Sequence, residues 1–334
     1  MTPTEVAAVV GSGNRGAVDV SVLVPAKDEA ENLPLFMEQA AQAFSTLDPQ
    51  TRYEVIVVDD GSTDDTWRVL KGLTERYDFL ELVRHRRQRG IADALRTGYL
   101  HARGGVLVFW PADLQYKPVD IPRLAAPILA GDADMVTGYK QGAYEKAFVS
   151  RVYNRLSRAL FDLPVRDLNS VKAYRREIME AIPIRPDWHR YMIAIAAAEG
   201  YSVQEIPVPL YPRHAGKSKF GIGRIPVGVL DMLSVWFELR FGRKPLLLFG
   251  SLGAGLFALG LLIGLAAVAV RLFGGVGYRP LLTLVETCLL LGSVFLATGL
   301  LGEQIAGQRA QIRELQRQLD VLRDPSNPPP PSES

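Results

Sequence analysis

Short apolar runs alternate with longer stretches of helical periodicity between about Asp19 and Pro212. Helical patterns such as Ala30–Leu47 and Asp65–Arg76 lie between runs that are rich in β-branched residues. This alternation predicts a doubly wound α/β domain, with ligand-binding loops at the carboxyl ends of its strands. The runs expected to form buried parallel strands are Val20–Val24, Glu54–Val58, Leu80–Val83, Val106–Trp110 and Met135–Thr137.

Two long apolar runs follow this domain. Leu246–Val270 contains 25 residues and no charge, and Leu281–Leu301 contains one acidic residue, Glu286. A helix needs about 20 apolar residues to span a bilayer, so both runs qualify. The short, Gly-rich linker Arg271–Pro280 predicts a transmembrane hairpin with both ends on one side of the membrane. A buried hairpin in a soluble protein is the alternative.

Basic residues favour one orientation of that hairpin, because cytoplasmic segments next to a span carry an excess of lysine and arginine. The linker holds two arginines, whereas the outer ends of the spans are flanked by Arg240, Arg243, Lys244, Arg309 and Arg313. The N-terminus lacks the basic start and long apolar stretch of a signal peptide. The pattern predicts a multi-pass protein of the inner or plasma membrane, with the α/β domain and both termini in the cytoplasm.

The segments beside the spans have patterns of their own. Polar residues recur every three or four positions between Arg224 and Glu238, which predicts an amphipathic helix at the lipid interface. A helix packed on the α/β domain is an alternative compatible with it. Ile305, Ile312 and Leu319 are spaced by seven, which predicts a weak coiled coil that could join two copies. A single amphipathic helix continuing the second span is the other interpretation.

These patterns divide the chain into six parts. The predicted parts are a flexible N-terminus (1–17), the α/β domain (18–221), an interfacial helix (222–244), a membrane hairpin (245–302, with spans 246–270 and 281–301), a coiled-coil-like helix (303–323) and a disordered tail (324–334).

Composition excludes several kinds of site. The formal net charge is +2, so there is no global electrostatic case for binding nucleic acid. The single cysteine, Cys288, lies inside an apolar run, which excludes an internal disulfide framework and a cysteine-based zinc site. The four histidines show no metal-ligand spacing.

Acidic residues follow the first two predicted strands. The first strand leads into Val24–Leu33 (VPAKDEAENL) and the second into Val57–Thr66 (VVDDGSTDDT). Asp60 could accept a hydrogen bond from a ribose hydroxyl or a base N–H, while Ser62 or Thr63 could cap the next helix. The second segment alone could be only a turn and a cap. The two segments together, on successive strands, point to a ligand site.

At these residues the sequence resembles family 2 glycosyltransferases with the GT-A fold, the fold of nucleotide-diphospho-sugar transferases. The similarity is greatest to the polyisoprenyl-phosphate branch, which includes dolichyl-phosphate mannose synthases and undecaprenyl-phosphate glucosyltransferases. Two late segments carry it, Glu205–Arg213 (EIPVPLYPR) and Gly216–Gly223 (GKSKFGIG). In that branch, an arginine followed by Gly-x-Ser-Lys and an interfacial helix marks enzymes whose acceptor is a lipid phosphate.

The resemblance assigns the nucleotide-sugar site and also marks two departures. Ile91 stands where the family has a lysine after Gly90, and Pro111 stands where it has the first aspartate of Asp-Ala-Asp-Leu-Gln. The nucleotide-sugar-binding positions implied by the family are Pro25, Ala26, Lys27, Glu29, Val58, Asp60, Ala112, Asp113, Lys140 and Arg213.

The resemblance also implies a divalent cation, Mg²⁺ or Mn²⁺, on the donor diphosphate. With Pro111 in place of an aspartate, Asp113 and Gln115 remain as protein ligands. Magnesium commonly binds through one or two carboxylates plus substrate phosphates, so this departure weakens the site without abolishing it. Asp113 as a mere turn residue is the alternative.

Basic residues late in the domain are candidates for phosphate. Arg151, Lys217 and Lys219 are assigned to the acceptor phosphate, although each alone could be a solvated surface charge. The catalytic residues implied by the family are Asp113, Asp167 and Arg190. A phosphate acceptor is already an anion near neutral pH, so we expect Asp167 to organise the site, holding Arg190 or an acceptor-side base, rather than to remove a proton.

The resemblance implies an inverting transfer from a nucleotide sugar, of the UDP-glucose or GDP-mannose type, to polyprenyl phosphate in the synthesis of cell-envelope glycans. A processive polysaccharide synthase is one alternative, but Trp188–Arg190 does not match that class's Gln-x-x-Arg-Trp motif. Pro111 favours the other, a catalytically inactive membrane scaffold. The expected partners are the nucleotide sugar, polyprenyl phosphate, membrane lipid and a second copy through 303–323, with no nucleic acid.

Overall fold

The protein is described by a computed structural model. It describes residues 6–10, 17–141, 147–161, 165–168, 170–181, 188–215, 225–242, 244–274 and 279–323. The chain divides into two compact units, Met1–Val235 and Trp236–Ser334.

Among the described residues, the first unit contains eight strands. Seven lie between Val20 and Pro209, and the eighth, β1, belongs to the N-terminal segment. Their bounds are β1 Val6–Val10, β2 Val20–Ala26, β3 Tyr53–Asp59, β4 Leu80–His85, β5 Val106–Phe109, β6 Met135–Gln141, β7 Lys172–Arg175 and β8 Val203–Pro209.

These strands form one mixed sheet in the order β1-β4-β3-β2-β5-β7-β6-β8. The neighbours among β2, β3, β4 and β5 pair in parallel, and β8 pairs in parallel with β6. β7 runs antiparallel to both β5 and β6, and β1 runs antiparallel to β4. The five strands predicted from the sequence therefore run in one direction, and their carboxyl ends lie at one edge of the sheet.

Helices connect these strands, as the helical periodicity predicts. In the part of the chain that the structure describes, seven α-helices lie in the first unit, an eighth crosses the boundary between the units, and two lie in the second unit. Their bounds are α1 Leu33–Ser45, α2 Thr66–Thr74, α3 Ile91–His101, α4 Ile121–Leu129, α5 Ala147–Phe161, α6 Arg176–Ala181, α7 Met192–Ala198, α8 Ile225–Phe241, α9 Pro245–Gly274 and α10 Arg279–Arg323.

The core lies between the sheet and helices α1, α2 and α4. Val22, Val55 and Val108 are fully buried on the central strands, where Phe36 of α1 and Leu124 of α4 cover them. Because parallel strands are covered on both faces, they read as continuous apolar runs rather than as an alternation. The apolar runs found in the sequence are those strands.

The N-terminal segment differs from the expectation. Residues 1–17 are predicted to be flexible, but Val6–Val10 form β1 and pair with β4 from Leu82 to His85. An apolar run of five residues can close the open edge of a sheet by pairing with its backbone groups. The neighbouring residues 1–5 and 11–16 lie outside the described residues.

Helix α8 has two different faces. Gly228, Met232 and Val235 are buried, and the Tyr191 hydroxyl donates a hydrogen bond to the Gly228 carbonyl at 3.0 Å. Val227 and Leu230 are exposed on the opposite side, together with Leu233 at the next turn. The helix therefore packs on the α/β domain through one face and presents an apolar face outward.

The second unit contains a close pair of long helices, α9 and α10. A Cβ added at Gly253 would lie 2.9 Å from the Gly292 carbonyl oxygen, so glycine allows the two backbones to approach. In α9 the buried residues are Pro245, Gly253 and Gly260, and most of the large apolar side chains face outward. Outward-facing apolar surfaces of this length are those of a membrane protein, not of a buried soluble hairpin.

The helix bounds differ from the sequence prediction at the linker and at the tail. Arg271 lies in α9 and Arg279 opens α10, so the connection is shorter than Arg271–Pro280. One continuous helix of 45 residues, α10, covers both the second predicted span and the segment 303–323. Arginine is a good helix former and a single glycine costs a helix only about 1 kcal/mol, so neither residue ends these long helices.

Candidate active site

The loops after β2 and β3 are tied to each other at the carboxyl edge of the sheet. Lys27 Nζ donates to the Gly61 carbonyl at 2.6 Å, and the Asp28 amide donates to the Ser62 hydroxyl at 2.9 Å. The Thr63 amide donates in turn to Asp28 Oδ1 at 2.8 Å. The two segments singled out in the sequence therefore form one surface.

Ser62 and Thr63 do not cap the next helix, contrary to the expectation. Helix α2 begins at Thr66 with Asp65 at its N-cap position, and Asp64 Oδ1 accepts from the Thr66 amide at 3.0 Å. Several residues of this segment could cap a helix. Ser62 and Thr63 bond to Asp28 instead.

Asp60 organises the loop that follows β4. Its Oδ1 accepts from the Arg89 amide and its Oδ2 accepts from the Gly90 amide, each at 2.8 Å. His85 Nδ1 lies 2.8 Å from the same Oδ1, and since a carboxylate only accepts, Nδ1 is the donor. His85 Nε2 lies 2.8 Å from the Thr97 hydroxyl. A direct bond from Asp60 to a ribose or a base stays a prediction.

Gly61 is required where this loop approaches. Its φ is +65°, and an added Cβ would lie 2.7 Å from the Arg87 carbonyl carbon. Residues with a Cβ rarely adopt that backbone conformation, and backbone atoms cannot move aside as a flexible side chain can. The glycine of the Asp-Asp-Gly-Ser segment thus brings residues 86–90 against the end of β3.

Asp113 and Gln115, the two predicted metal ligands, converge on a single point. Arg213 Nη2 lies 2.9 Å from Asp113 Oδ2 and 3.5 Å from Gln115 Oε1. Burial raises the pKa of Asp113 even though the guanidinium of Arg213 opposes that shift. Leu114 between them has a φ of +56°, a strained conformation of the kind found at functional sites.

This arrangement fits a divalent cation with few protein ligands. Asp113 Oδ2 and Gln115 Oε1 both lie near the Arg213 guanidinium. Hard oxygen donors of this kind suit Mg²⁺ and Mn²⁺. Among the described residues, no group of three or more His, Cys, Asp or Glu side chains could hold a metal ion. The rest of a coordination shell would have to come from substrate phosphates and water.

A second charged group lies on β6, β7 and the segment before β7. Lys140 Nζ lies 3.1 Å from Asp167 Oδ2, and the two side chains are 16% and 5% exposed. Glu205 Oε1 accepts from the Arg166 and Asp167 amides, at 2.6 and 3.1 Å. Burial raises the pKa of the Glu205 carboxyl. The pairing with Lys140 puts Asp167 in a buried, charge-balanced place, which suits an organising group.

Lys172 and His189 belong to this group and are missing from the predicted site. Lys172 on β7 is fully buried, donates from Nζ to the His189 carbonyl at 3.3 Å and lies over the Phe109 ring. Burial lowers its pKa to about 8, with Lys140 and Arg190 acting in the same direction and Asp167 opposing. The apolar neighbours of Lys172 in the sequence, Val171 and Ala173, were the signal that could have indicated a buried lysine.

His189 is held neutral. Burial, with Lys172 and Arg190 nearby, lowers its pKa to about 3. Its ring lies edge-on to Phe109 at a centroid distance of 6.5 Å. A neutral imidazole in this place does not titrate near neutral pH.

The remaining predicted residues are placed as follows. Ala26, Val58 and Ala112 are buried, and the Ala26 carbonyl accepts from the Asp60 amide at 2.8 Å. Pro25 lies near the end of β2, and the Glu29 amide donates to the Thr66 hydroxyl at 2.9 Å. Arg151 lies on α5, with its side chain outside the described residues, and Lys217 and Lys219 also lie outside them.

Comparison with known proteins gives the family. The profile of glycosyl transferase family 2 matches residues 21–182. Dodecaprenyl-phosphate galacturonate synthase from Rhizobium johnstonii is 32% identical over 301 residues, covering 87% of this chain and 88% of the relative. The chain belongs to glycosyl transferase family 2. Undecaprenyl-phosphate 4-deoxy-4-formamido-L-arabinose transferase from Sodalis glossinidius is 29% identical, covering 86% of this glycosyltransferase and 88% of that relative.

Solved structures confirm the predicted GT-A fold. Glucosyl-3-phosphoglycerate synthase from Mycobacterium tuberculosis, in complex with Mn²⁺, UDP and glucosyl-3-phosphoglycerate, has a TM-score of 0.52 at 19% identity, covering 66% of this chain and 80% of that one. The same enzyme with Mg²⁺ and UDP has a TM-score of 0.52 at 18% identity, with coverages of 66% and 79%. At this identity the likeness shows the fold alone.

Proposed function

We propose that this glycosyltransferase moves a sugar from a nucleotide sugar to polyprenyl phosphate at the cytoplasmic face of a membrane. The observation that carries the proposal is the length of the match to relatives named for dodecaprenyl-phosphate and undecaprenyl-phosphate. At 301 residues, the match to the first is longer than the α/β domain and must continue into the apolar helices. The donor is a nucleotide sugar of the UDP-glucose or GDP-mannose type.

The proposed reaction is a single in-line displacement. An oxygen of the acceptor phosphate forms a bond to the anomeric carbon, the bond from that carbon to the donor diphosphate breaks, and the configuration inverts. Because the phosphate is already an anion, it needs orientation and removal of water more than it needs a base. Lys140 and Asp167, paired at 3.1 Å and largely buried, support the role of Asp167 as an organising group.

The donor site lies on the loops after β2, β3 and β5. Asp60 fixes the loop 86–90 beside Gly61, and Lys27 ties that turn to β2, so a nucleotide would meet a preorganised surface. Asp113 and Gln115 would hold Mg²⁺ or Mn²⁺, which when bound neutralises charge on the departing diphosphate. Arg213, whose Nη2 lies 2.9 Å from Asp113 Oδ2, would contact the diphosphate.

The proposed acceptor lies in the membrane. The outward face of α8, with Val227, Leu230 and Leu233, supports contact with lipid, and the opposite face packs on the α/β domain. Candidate spans of 30 and 34 residues, within α9 and α10, support anchoring by a multi-pass hairpin. A lipid phosphate would then reach the domain from the membrane surface.

The test is a transfer assay with the full chain in detergent. It combines polyprenyl phosphate, Mg²⁺ or Mn²⁺, and a panel of labelled nucleotide sugars, and it measures label in a lipid-soluble product. We expect product from at least one donor, and an Asp113→Ala variant should reduce it by about 100-fold or more. The exposed Asp132→Ala is the matched control and should retain the wild-type rate.

The same assay tests the alternative favoured by Pro111. A chain that binds a nucleotide sugar but forms no lipid product with any donor would be an inactive scaffold. Product that stays water-soluble, or that forms without polyprenyl phosphate, would point to another acceptor.

A further inference from the structure

Arg213 occupies the point at which the two metal-ligand side chains meet. A single guanidinium nitrogen lies 2.9 Å from the Asp113 carboxylate and 3.5 Å from the Gln115 amide oxygen. The Arg213 and Asp113 side chains are only 25% and 14% exposed, so solvent screens their attraction weakly. The guanidinium of Arg213 therefore lies where a divalent cation would bind.

The backbone delivers Arg213 to this place. The Tyr211 amide donates to the Gln115 carbonyl at 2.9 Å, and the Leu210 amide donates to the Gln141 carbonyl at 3.0 Å. Lys117 Nζ lies 4.1 Å from the centre of the Tyr211 ring. These contacts fix the segment just before Arg213 against the loop that carries Asp113 and Gln115.

Because Pro111 replaces an aspartate, the contact between Arg213 and Asp113 matters for metal binding. A site with two aspartates could bind a metal ion through one carboxylate and an arginine through the other. Here Asp113 is the carboxylate that remains in this motif, and a guanidinium does not lose its proton in proteins. Two cations cannot share one carboxylate and one amide oxygen without strong repulsion.

We propose that Arg213 is the resident counter-cation of Asp113 and keeps divalent metal from binding tightly until the donor diphosphate arrives. The diphosphate then offers Arg213 a stronger anionic partner, so Arg213 leaves Asp113, and the carboxylate becomes available to the metal. The second step rests on the proposed function, because it needs a nucleoside diphosphate donor. The first step, exclusion of the metal by Arg213, does not.

This arrangement couples the two ligands. Arg213 must leave Asp113 before the metal binds, and the diphosphate gives Arg213 another partner. Binding of the metal and binding of the diphosphate therefore favour each other. Coupling of this kind is reciprocal and typically changes affinities by about 5- to 150-fold. The nucleotide should therefore raise the affinity for the metal by the factor by which the metal raises the affinity for the nucleotide.

The experiment titrates Mn²⁺ into the full chain in detergent, with free Mn²⁺ measured by electron paramagnetic resonance. Each protein is titrated with Mn²⁺ alone, then with UDP present, then with GDP present. The variants are Arg213→Gln, which removes the charge, Arg213→Lys, which keeps it, and Asp113→Asn, which removes the carboxylate. Arg68→Gln is the matched control, because Arg68 lies on α2, is exposed and pairs with Asp65.

Arg213→Gln should bind Mn²⁺ alone about tenfold more tightly than the wild type and lose most of the gain caused by the nucleotide. Arg213→Lys and Arg68→Gln should stay closer to the wild type, and Asp113→Asn should lose the site. The proposal is overturned if Arg213→Gln binds Mn²⁺ alone no more tightly than the wild type, including the case in which neither protein binds it. If neither nucleotide binds, the proposed function fails, while the titrations with Mn²⁺ alone still decide the role of Arg213.

Discussion

At the scale of single residues, Lys172 shows how a buried charge can report on the site. Its Nζ lies among Asp167, Lys140, Arg190 and the neutral His189, and its pKa is lowered to about 8. As the pH rises through that value, the site loses one positive charge beside Asp167. If that charge supports the orientation of an anionic acceptor, kcat should fall above a pH of about 8.

The test compares the pH dependence of transfer for the wild type and Lys172→Arg. Arginine stays charged, so its alkaline decline should move to higher pH or vanish. Lys172→Met should be slow at every pH, mainly in kcat. The exposed Lys71→Met, on α2, is the control and should keep the wild-type profile. If kcat of Lys172→Arg falls at the same alkaline pH as that of the wild type, the titration of Lys172 does not cause the decline.

The same pKa gives a prediction for stability. The charged form of Lys172 is disfavoured in the folded state, so it costs stability below a pH of about 8, and the cost declines as the pH rises toward 10.5. A shift of this size in a fully buried group corresponds to roughly 3 kcal/mol. Lys172→Met should therefore not lower the melting temperature at neutral pH. Clear destabilisation would mean that its bond to the His189 carbonyl outweighs the burial of its charge.

Asp60 is a buried carboxylate that accepts three hydrogen bonds, from the Arg89 and Gly90 amides and from the His85 ring. Asp60→Asn keeps one acceptor oxygen for the amides of Arg89 and Gly90, and it places an NH₂ group against one of them. We expect a loss of about 1–3 kcal/mol in the free energy of unfolding, together with weaker binding of the nucleotide. Denaturant unfolding and donor titration measure the two effects. The exposed Asp65→Asn should show neither, and a stable Asp60→Asn would contradict this role.

At the scale of elements, the sequence predicted the five strands that appear as apolar runs and missed β1, β7 and β8. β2 to β6 appear as apolar runs because parallel strands are buried on both sides. β8 is an edge strand with Glu205, Pro207 and Pro209, and prolines of this kind are tolerated only at an edge. β7 has only four residues and includes the buried Lys172, so neither length nor alternation indicated it.

The candidate site divides in the same way. The acidic segment after the second strand pointed to Asp60, and the family resemblance assigned Asp113 and Gln115, since both segments are local in sequence. Other contacts in the site join distant segments: Arg213 contacts Asp113 from 100 residues away, and Lys140 on β6 pairs with Asp167 in the segment before β7. Those pairings depend on strand order, in which β7 is inserted between β5 and β6, and no sequence pattern encoded that insertion.

Helix α10 leads to a prediction about assembly. Ile305, Ile312, Leu315 and Leu319 are exposed, and their heptad spacing supports a parallel coiled coil with a second copy. In a Cys288→Ala background, Ile312→Cys should form a disulfide-linked dimer in membranes under mild oxidation. Glu314→Cys, on the outer face of the same turn, should not. Equal cross-linking of both variants, or of neither, would argue for a single helix instead.

At the scale of the whole molecule, helix length separates the membrane from the tail. At 1.5 Å per residue, a helix of 45 residues is roughly 68 Å long, whereas the hydrocarbon core of a bilayer is about 30 Å thick. α10 therefore has to continue well beyond the bilayer on one side. Glu303 marks the change from apolar to polar sequence, and its carboxylate accepts from the Leu246 amide at the start of α9, at 3.2 Å. The open ends of the hairpin thus lie together.

Orientation can be tested from both ends of this hairpin. In the Cys288→Ala background, Gly274→Cys places a thiol at the closed end and Glu314→Cys places one beyond the open end. The excess of basic residues at the open end predicts that this end is cytoplasmic. A membrane-impermeant maleimide should then label Gly274→Cys in sealed cells and label Glu314→Cys only after permeabilisation. The reverse pattern would put the sugar donor and the α/β domain on opposite sides of the membrane, and labelling of both thiols in sealed cells would contradict the hairpin.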